Sequence, residues 1–232
     1  MSARLAVIVP VLNEAAGIDA ALAALQPLRA RGVPVIVADG GSSDATVRLA
    51  APLADRVLSA PRGRALQMNA GARAPEAQDA DVLLFLHADT RLPPEADRTL
   101  LRALANSERC WGRFDVAIDG RTPALRLVAS LMNLRSRLSG IATGDQAIFV
   151  TRAAFAALEG FAAIPLMEDI DFSRRAKALS RPLALRARVL TSGRRWERDG
   201  VWRTILLMWR LRFAYWLGAD PAELAQRYRA AR

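Results

Sequence analysis

The chain has 232 residues, 52% of them hydrophobic, and a formal net charge of +10. That composition excludes a disordered chain and leaves ample length for one large domain around a buried core. The charge is carried almost wholly by arginine, Lys177 being the only lysine, and it favours anionic ligands in general. No nucleic-acid recognition motif accompanies it, so no nucleic-acid partner is expected. In chain order, 5–9 (LAVIV) predicts a first buried strand, and Pro10 ends it. Residues 17–28 predict a helix, with Ile18, Leu22, Leu25 and Leu28 at helical spacing. A second strand, 34–38, runs into Asp39-Gly40-Gly41-Ser42-Ser43, whose glycines allow a tight turn before a helix over 44–51. A third strand at 56–59 leads through Arg62-Gly63-Arg64 into a helix ending near 74.

The fourth strand is the one around which the rest is organised. Val82 to Leu86 is unbroken apolar sequence that stops at His87-Ala88-Asp89. A short run without alternation suits a strand buried on both faces. The first ninety residues thus read βαβαβαβ, which calls for a Rossmann-like, mostly parallel α/β sheet flanked by helices. Ligands of such sheets bind at the carboxyl edge of the strands. To that edge the loops would bring Asn13 and Glu14, Asp39, Arg62 and Arg64, and His87 and Asp89.

The second half predicts a helix over 95–106 and a strand over 111–118, whose moderate alternation suits an antiparallel or edge position. An amphipathic helix or ordered lid follows over 125–138. Gly144-Asp145-Gln146 precedes a strand at 147–150 and a short helix at 153–158. Glu168-Asp169-Ile170-Asp171 opens a helix to about 179, a strand-like stretch spans 182–190, and 191–196 (TSGRRW) reads as a basic turn. A long helix over 201–217 puts Trp202, Ile205, Leu206, Trp209, Phe213 and Trp216 on one face. One domain is expected over 1–232, with parts at 1–91 and 92–200 and a C-terminal helical segment at 201–232.

Several side chains could carry chemistry. Asp89 could bind Mg2+ or Mn2+, which take oxygen donors, or simply cap the following turn. His87, the only histidine, could be a neighbouring donor or, for Mn2+, a further ligand. The Gly-rich dinucleotide fingerprint is absent after the first strand, so phosphates would be neutralised by a metal at Asp89 with Arg62 and Arg64. Glu168 and Asp169 favour a helix N-terminus electrostatically, yet with Asp171 they crowd three acids into four positions, which raises the proton affinity of one as a general base requires. Arg194 and Arg195 could stabilise a departing diphosphate, with Trp196 stacking on a sugar or base.

Taken together, VIVPVLNE (7–14), VADGGSSDAT (37–46), GRALQMNAGA (63–72), LHADT (86–90), GDQAIFV (144–150), MEDIDFSRR (167–175) and SGRRW (192–196) resemble, in order, family 2 glycosyltransferases with the glycosyltransferase A-type fold. The resemblance implies inverting, metal-assisted transfer of one sugar from a nucleotide diphosphate sugar to an acceptor hydroxyl. It puts Pro10, Leu12, Glu14 and Asp39 around the nucleoside, and Arg64 and Ala88 against the donor. Asp89 matches the last acid of the family's Asp-x-Asp element as the ligand of Mn2+ or Mg2+, with His87 in place of the first acid. Asp169 matches the catalytic base, Gly144, Asp145 and Glu168 lie on the acceptor side, and Arg194, Arg195 and Trp196 resemble the Arg-Trp element that closes the donor site. In size and in the wording of HADT and GRALQMNAGA the chain also resembles a compact bacterial branch named for arsenosugar biosynthesis. A nucleotidyltransferase acting on a sugar phosphate is the competing enzyme, although a phosphate nucleophile needs no base. A non-catalytic module binding nucleotide or anionic lipid is the competing non-enzyme.

Cys110 is the only cysteine, so an intramolecular disulfide and a cysteine zinc cluster are excluded. The first apolar stretch is short and runs into Asn13-Glu14, unlike a signal peptide, and no run reaches the roughly 20 apolar residues of a span. A cytoplasmic location is expected, peripheral to the inner membrane face if the C-terminal helix meets lipid. The alternative for that helix, favoured on sequence, is that its apolar face packs on the domain or on a second copy as a homodimer.

Overall fold

A computed structural model describes residues 3–231. In chain order the elements are β1 (Leu5–Val11), α1 (Ile18–Ala23), α2 (Gln26–Arg29), β2 (Val35–Asp39), α3 (Thr46–Ala50), β3 (Arg56–Ser59), α4 (Arg64–Ala72), α5 (Pro75–Gln78), β4 (Val82–Phe85), β5 (Thr90–Arg91) and α6 (Ala96–Ala105). There follow β6 (Trp111–Asp119), α7 (Ala124–Ser139), β7 (Ile148–Thr151), α8 (Arg152–Ala157), α9 (Glu168–Leu179), β8 (Leu183–Ser192), α10 (Arg194–Asp199), α11 (Val201–Trp216) and α12 (Pro221–Ala230). One sheet contains every strand, in the order β3-β2-β1-β4-β7-β6-β8-β5. β7 and β5 run against the others, so the sheet is mixed but mostly parallel. Helices cover it, and a C-terminal helical segment is present.

Alternation along the inner strands divides the core between the two faces. Val7, Val9, Val35, Val37, Val82 and Leu84 pack on one side, and Ala6, Ile8, Ile36, Leu83 and Phe85 on the other. Phe161 stacks on Phe172 at 4.4 Å beneath the second face, and Trp111 meets Phe172 edge to face. This aromatic cluster holds α9, and hence its acidic first turn, against the sheet.

Four expectations are corrected. The helix over 17–28 is broken into α1 and α2, because Pro27 lacks an N–H and its ring crowds the carbonyl four residues back. β6 is antiparallel to β7 as one of the two expectations had it, but it is not an edge strand: it lies between β7 and β8, parallel to β8. Its polar residues are buried and satisfied, since Arg113 pairs with Asp115 and bonds Ser136 Oγ at 3.0 Å, while Asp115 also pairs with Arg137. The basic turn at 191–196 divides into the end of β8 and helix α10. Finally, the apolar face of α11 packs on the domain only through Ile205: Trp202, Leu206, Trp209, Phe213 and Trp216 are all exposed.

Gln67 of α4 shows how the loops at the strand ends are held. Its Nε2 donates to Val11 O at 2.7 Å and Ala38 O at 2.9 Å, joining the ends of β1 and β2 in a fully buried spot. Gln67→Ala is expected to cost about 2 kcal/mol, the penalty for leaving buried acceptors short of a donor. A thermal melt should fall by about 4–8 °C at this chain length.

Candidate active site

The ends of β1 and β4, the start of α4 and helices α7, α10, α11 and α12 enclose a cavity of about 1250 Å³. Of the residues singled out in the sequence, Pro10, Glu14, Arg64, His87, Ala88, Asp89, Asp145, Arg194, Arg195 and Trp196 line it. Gly144, Glu168 and Asp169 line a small space adjoining it, and Arg64 and His87 border both. Leu12, Asp39 and Arg62 do not line either. Asp39 is committed to its own turn, accepting from Gly41 N, Ser42 N and Ser42 Oγ, as an aspartate opening an Asx turn does.

Each carboxylate sits in a different electrostatic setting. Burial pushes Glu14 above the usual carboxylate range, and the charge of Asp89 adds to this while Arg194 opposes it. At Asp145 burial acts upward too, but the hydrogen bond and charge of His87, with Arg64 and Arg195, outweigh it and hold the group low. Asp169 is raised to about 6, first by burial and then by the neighbouring charge of Glu168. Its oxygens accept from Gly144 N at 2.9 Å and Ile170 N at 2.8 Å. Glu168, 3% exposed, takes the Arg64 guanidinium at 2.9 Å. Pairing Glu168 with Arg64 leaves Asp169 as the acid without a salt-bridge partner of its own among the described residues, and so the better proton acceptor.

His87 is packed between Asp145 and Gly144. Its Nδ1 faces Asp145 Oδ1 at 3.3 Å. Its Nε2 is buried beneath Gly144, where a Cβ would lie 2.3 Å away. Only glycine fits there, and the same residue's N–H reaches Asp169. Asp89 is exposed to the cavity, with Thr90 Oγ1 at 3.4 Å from Oδ1. Among the described residues no three His, Cys, Asp or Glu side chains gather as a ready-made metal site. One oxygen ligand with room around it fits a cation whose remaining coordination comes from a phosphate-bearing ligand.

Arg135, Arg212 and Tyr228 also line the cavity, and no motif or spacing marks them individually. Arg135 Nε and Nη2 and Arg212 Nε are buried without a hydrogen-bond partner among the described residues. Burial pulls Arg135 below the ordinary arginine value, opposed by the charges of Asp169 and Asp145. The Arg195 guanidinium lies 4.5 Å from the centre of the Tyr228 ring, which ties α10 to α12. Arg135 was visible only as one of three arginines on an amphipathic helix; its turn toward the acids depends on where α7 packs.

Among curated proteins none matches the chain. S. aureus TarS residues 1–349 in complex with UDP-GlcNAc is similar at TM-score 0.63 and 16% identity, over 82% of this chain and 58% of that one. The mannosyltransferase PcManGT from Pyrobaculum calidifontis, in complex with GDP-Man and Mn2+, is similar at TM-score 0.57 and 20% identity, over 82% and 57%. Glucosyl-3-phosphoglycerate synthase from Mycobacterium tuberculosis, with Mn2+, UDP and glucosyl-3-phosphoglycerate, is similar at TM-score 0.59 and 19% identity, over 82% and 71%. The chain spans less than two thirds of the first two, and at these identities the likeness is one of fold. The family model described as Glycosyl transferase family 2 matches residues 6–157, well over half of the sequence, and the chain belongs to that family.

Proposed function

We propose that the chain transfers a single sugar from a nucleoside diphosphate sugar to an acceptor hydroxyl, with inversion at the anomeric carbon. The observation that carries this reading is Asp169: a carboxylate with its proton affinity raised to about 6, next to a cavity that gathers Asp89, Arg194 and Arg195. Such a group is ionised at neutral pH yet basic enough to take a proton. Asp169 removes the acceptor hydroxyl proton; the acceptor oxygen bonds to the anomeric carbon as the bond from that carbon to the diphosphate oxygen breaks. Arg194, Arg195 and Arg64 meet the charge that develops on the leaving diphosphate. Pro10, Leu12, Glu14, Asp39, Ala88 and Trp196 are assigned to the donor side, and Gly144, Asp145 and Glu168 to the acceptor side. Asp89 would hold Mn2+ or Mg2+, which when bound would neutralise diphosphate charge as a Lewis acid. The similar PcManGT and mycobacterial structures contain Mn2+, which supports a divalent cation here.

The continuous sheet supports one domain, with 1–91 proposed as the nucleotide half, 92–200 as the acceptor half and 201–232 as a helical segment beside the cavity. The branch named for arsenosugar biosynthesis is supported only by size and by HADT and GRALQMNAGA. The test is a panel of uridine, guanosine and other nucleoside diphosphate sugars with Mn2+ or Mg2+, followed by nucleoside diphosphate release. Release with one donor, dependent on metal, is the expected result. Failure of a folded sample to bind any nucleotide would overturn the reading.

A further inference from the structure

Helices α7 and α11 supply the apolar wall of the cavity, through Leu131, Leu134, Leu138, Ile205, Met208 and Trp209. On each helix this wall continues into an apolar stripe open to solvent, Leu131, Leu134, Leu138 and Trp209 belonging to both. On α7 it is Leu127, Leu131, Leu134 and Leu138, every one more than half exposed. On α11 it is Trp202, Leu206, Trp209, Phe213 and Trp216, 61–77% exposed. Both stripes recur at i, i+4, i+7 and i+11, so each is a single helical face. Leu125, Ala129 and Ser136 of α7, and Thr204 and Leu211 of α11, are buried on the opposite faces, with Val128 buried on the flank of α7. The stripes are therefore not the edges of core packing.

Charge decides what covers them. Neither helix contains an Asp or Glu, while α7 carries Arg126, Arg135 and Arg137 and α11 carries Arg203, Arg210 and Arg212. Arg126, Arg203 and Arg210 are exposed. A second copy seated symmetrically on these stripes would bring arginine rows together with no carboxylate on either helix to answer them. An anionic bilayer answers both features: indole and leucine enter the boundary between headgroups and acyl chains, and arginine reaches the phosphates. Among the described residues no helix is long and apolar enough to cross a membrane, so the contact is one of lying on the surface. The unpartnered donors of Arg135 and Arg212 on the cavity wall match an anionic headgroup drawn in from that surface.

We propose that α7 and α11 dock the protein on an anionic lipid bilayer, and that the cavity between them accepts an amphiphilic acceptor from it. The second half rests on the sugar-transfer reading; the docking does not. The experiment is co-sedimentation of the full chain with vesicles of equal parts phosphatidylglycerol and phosphatidylcholine, against vesicles of phosphatidylcholine alone. Association should be at least about tenfold stronger with the anionic vesicles and should weaken as salt is added. Substituting Trp202, Leu206 and Trp216 together by Ser should lower it at least about tenfold. Arg203→Gln with Arg210→Gln should lower binding to the anionic vesicles by about 25-fold, roughly fivefold for each charge. None of these five residues lines the cavity, so nucleoside diphosphate release with a soluble donor should be unchanged in both variants. No association of a folded wild type at low salt would overturn the docking, as would a lipid-free dimer that the Trp202, Leu206 and Trp216 substitutions dissociate. Vesicle binding without turnover would sink the sugar-transfer reading and support the docking.

Discussion

Asp169→Asn is expected to lower kcat about a thousandfold while leaving donor binding nearly unchanged. General-base catalysis contributes about 10²–10⁴-fold, and the amide cannot accept the proton. The side chain keeps its shape, and the aromatic cluster beneath α9 is untouched. In the wild type kcat/KM should fall as pH drops through about 6, where Asp169 takes up a proton, and be flat above that value on this limb. The same group leaves a mark on stability that needs no turnover. Its folded-state affinity for a proton exceeds that of an ordinary aspartate, so ionised Asp169 costs stability above pH 6, and the cost fades as pH falls toward 4. Asn carries no such cost. Between pH 4 and pH 8 the stability difference should therefore move in the variant's favour by about 2 kcal/mol, measured by denaturant unfolding at each pH. A variant with full activity, or a difference independent of pH, would remove Asp169 from the role of base.

Asp89→Ala should abolish the benefit of Mn2+ to donor binding. Removing even an outer hydrogen-bond partner of a metal ligand costs about 10–100-fold in affinity or activity, so losing the ligand itself should lower kcat/KM by about 100-fold or more. The direct measurement is calorimetric titration of a nucleoside diphosphate with and without Mn2+. Wild type should bind at least about tenfold more tightly with the metal, and the variant should show no difference. A second readout is Glu14, whose carboxyl is pushed up by burial and further by the Asp89 charge. In the metal-free variant it should titrate lower than in wild type, visible by carbon NMR. Equal metal dependence in both proteins would move the cation elsewhere.

Much of the fold was legible because β1, β2 and β4 are buried on both faces and read as unbroken apolar runs. Their loops then brought Glu14, His87 and Asp89 to one edge, as sheet topology requires. What escaped depended on partners distant in sequence. Arg113 and Asp115 satisfy each other inside β6, so polar letters marked the strand as less buried than it is. β5 has two residues and no pattern of its own; it exists because β8 lies beside it. α10 hides in an Arg-rich stretch whose helix is stabilised by packing Trp196 on the core. Arg135, Arg212 and Tyr228 join the site only through the placement of α7, α11 and α12. Asp39 ends β2 and holds the turn that follows it, a local role the sequence pattern does not separate from ligand binding.

The two-residue pairing of β5 with β8 has a consequence for engineering. Thr90 sits opposite Thr191, their hydroxyls 3.0 Å apart, and Ser192 N donates to Asp89 O at 3.1 Å. Asp89 and the start of α10 are therefore parts of one mechanical joint, although about a hundred residues separate them. A one-residue slip would turn every side chain of the joint to the opposite face. If these residues hold the donor as proposed, its preference belongs to a paired cassette: grafting 192–199 from another transferase is expected to transplant function only when 89–91 travels with it.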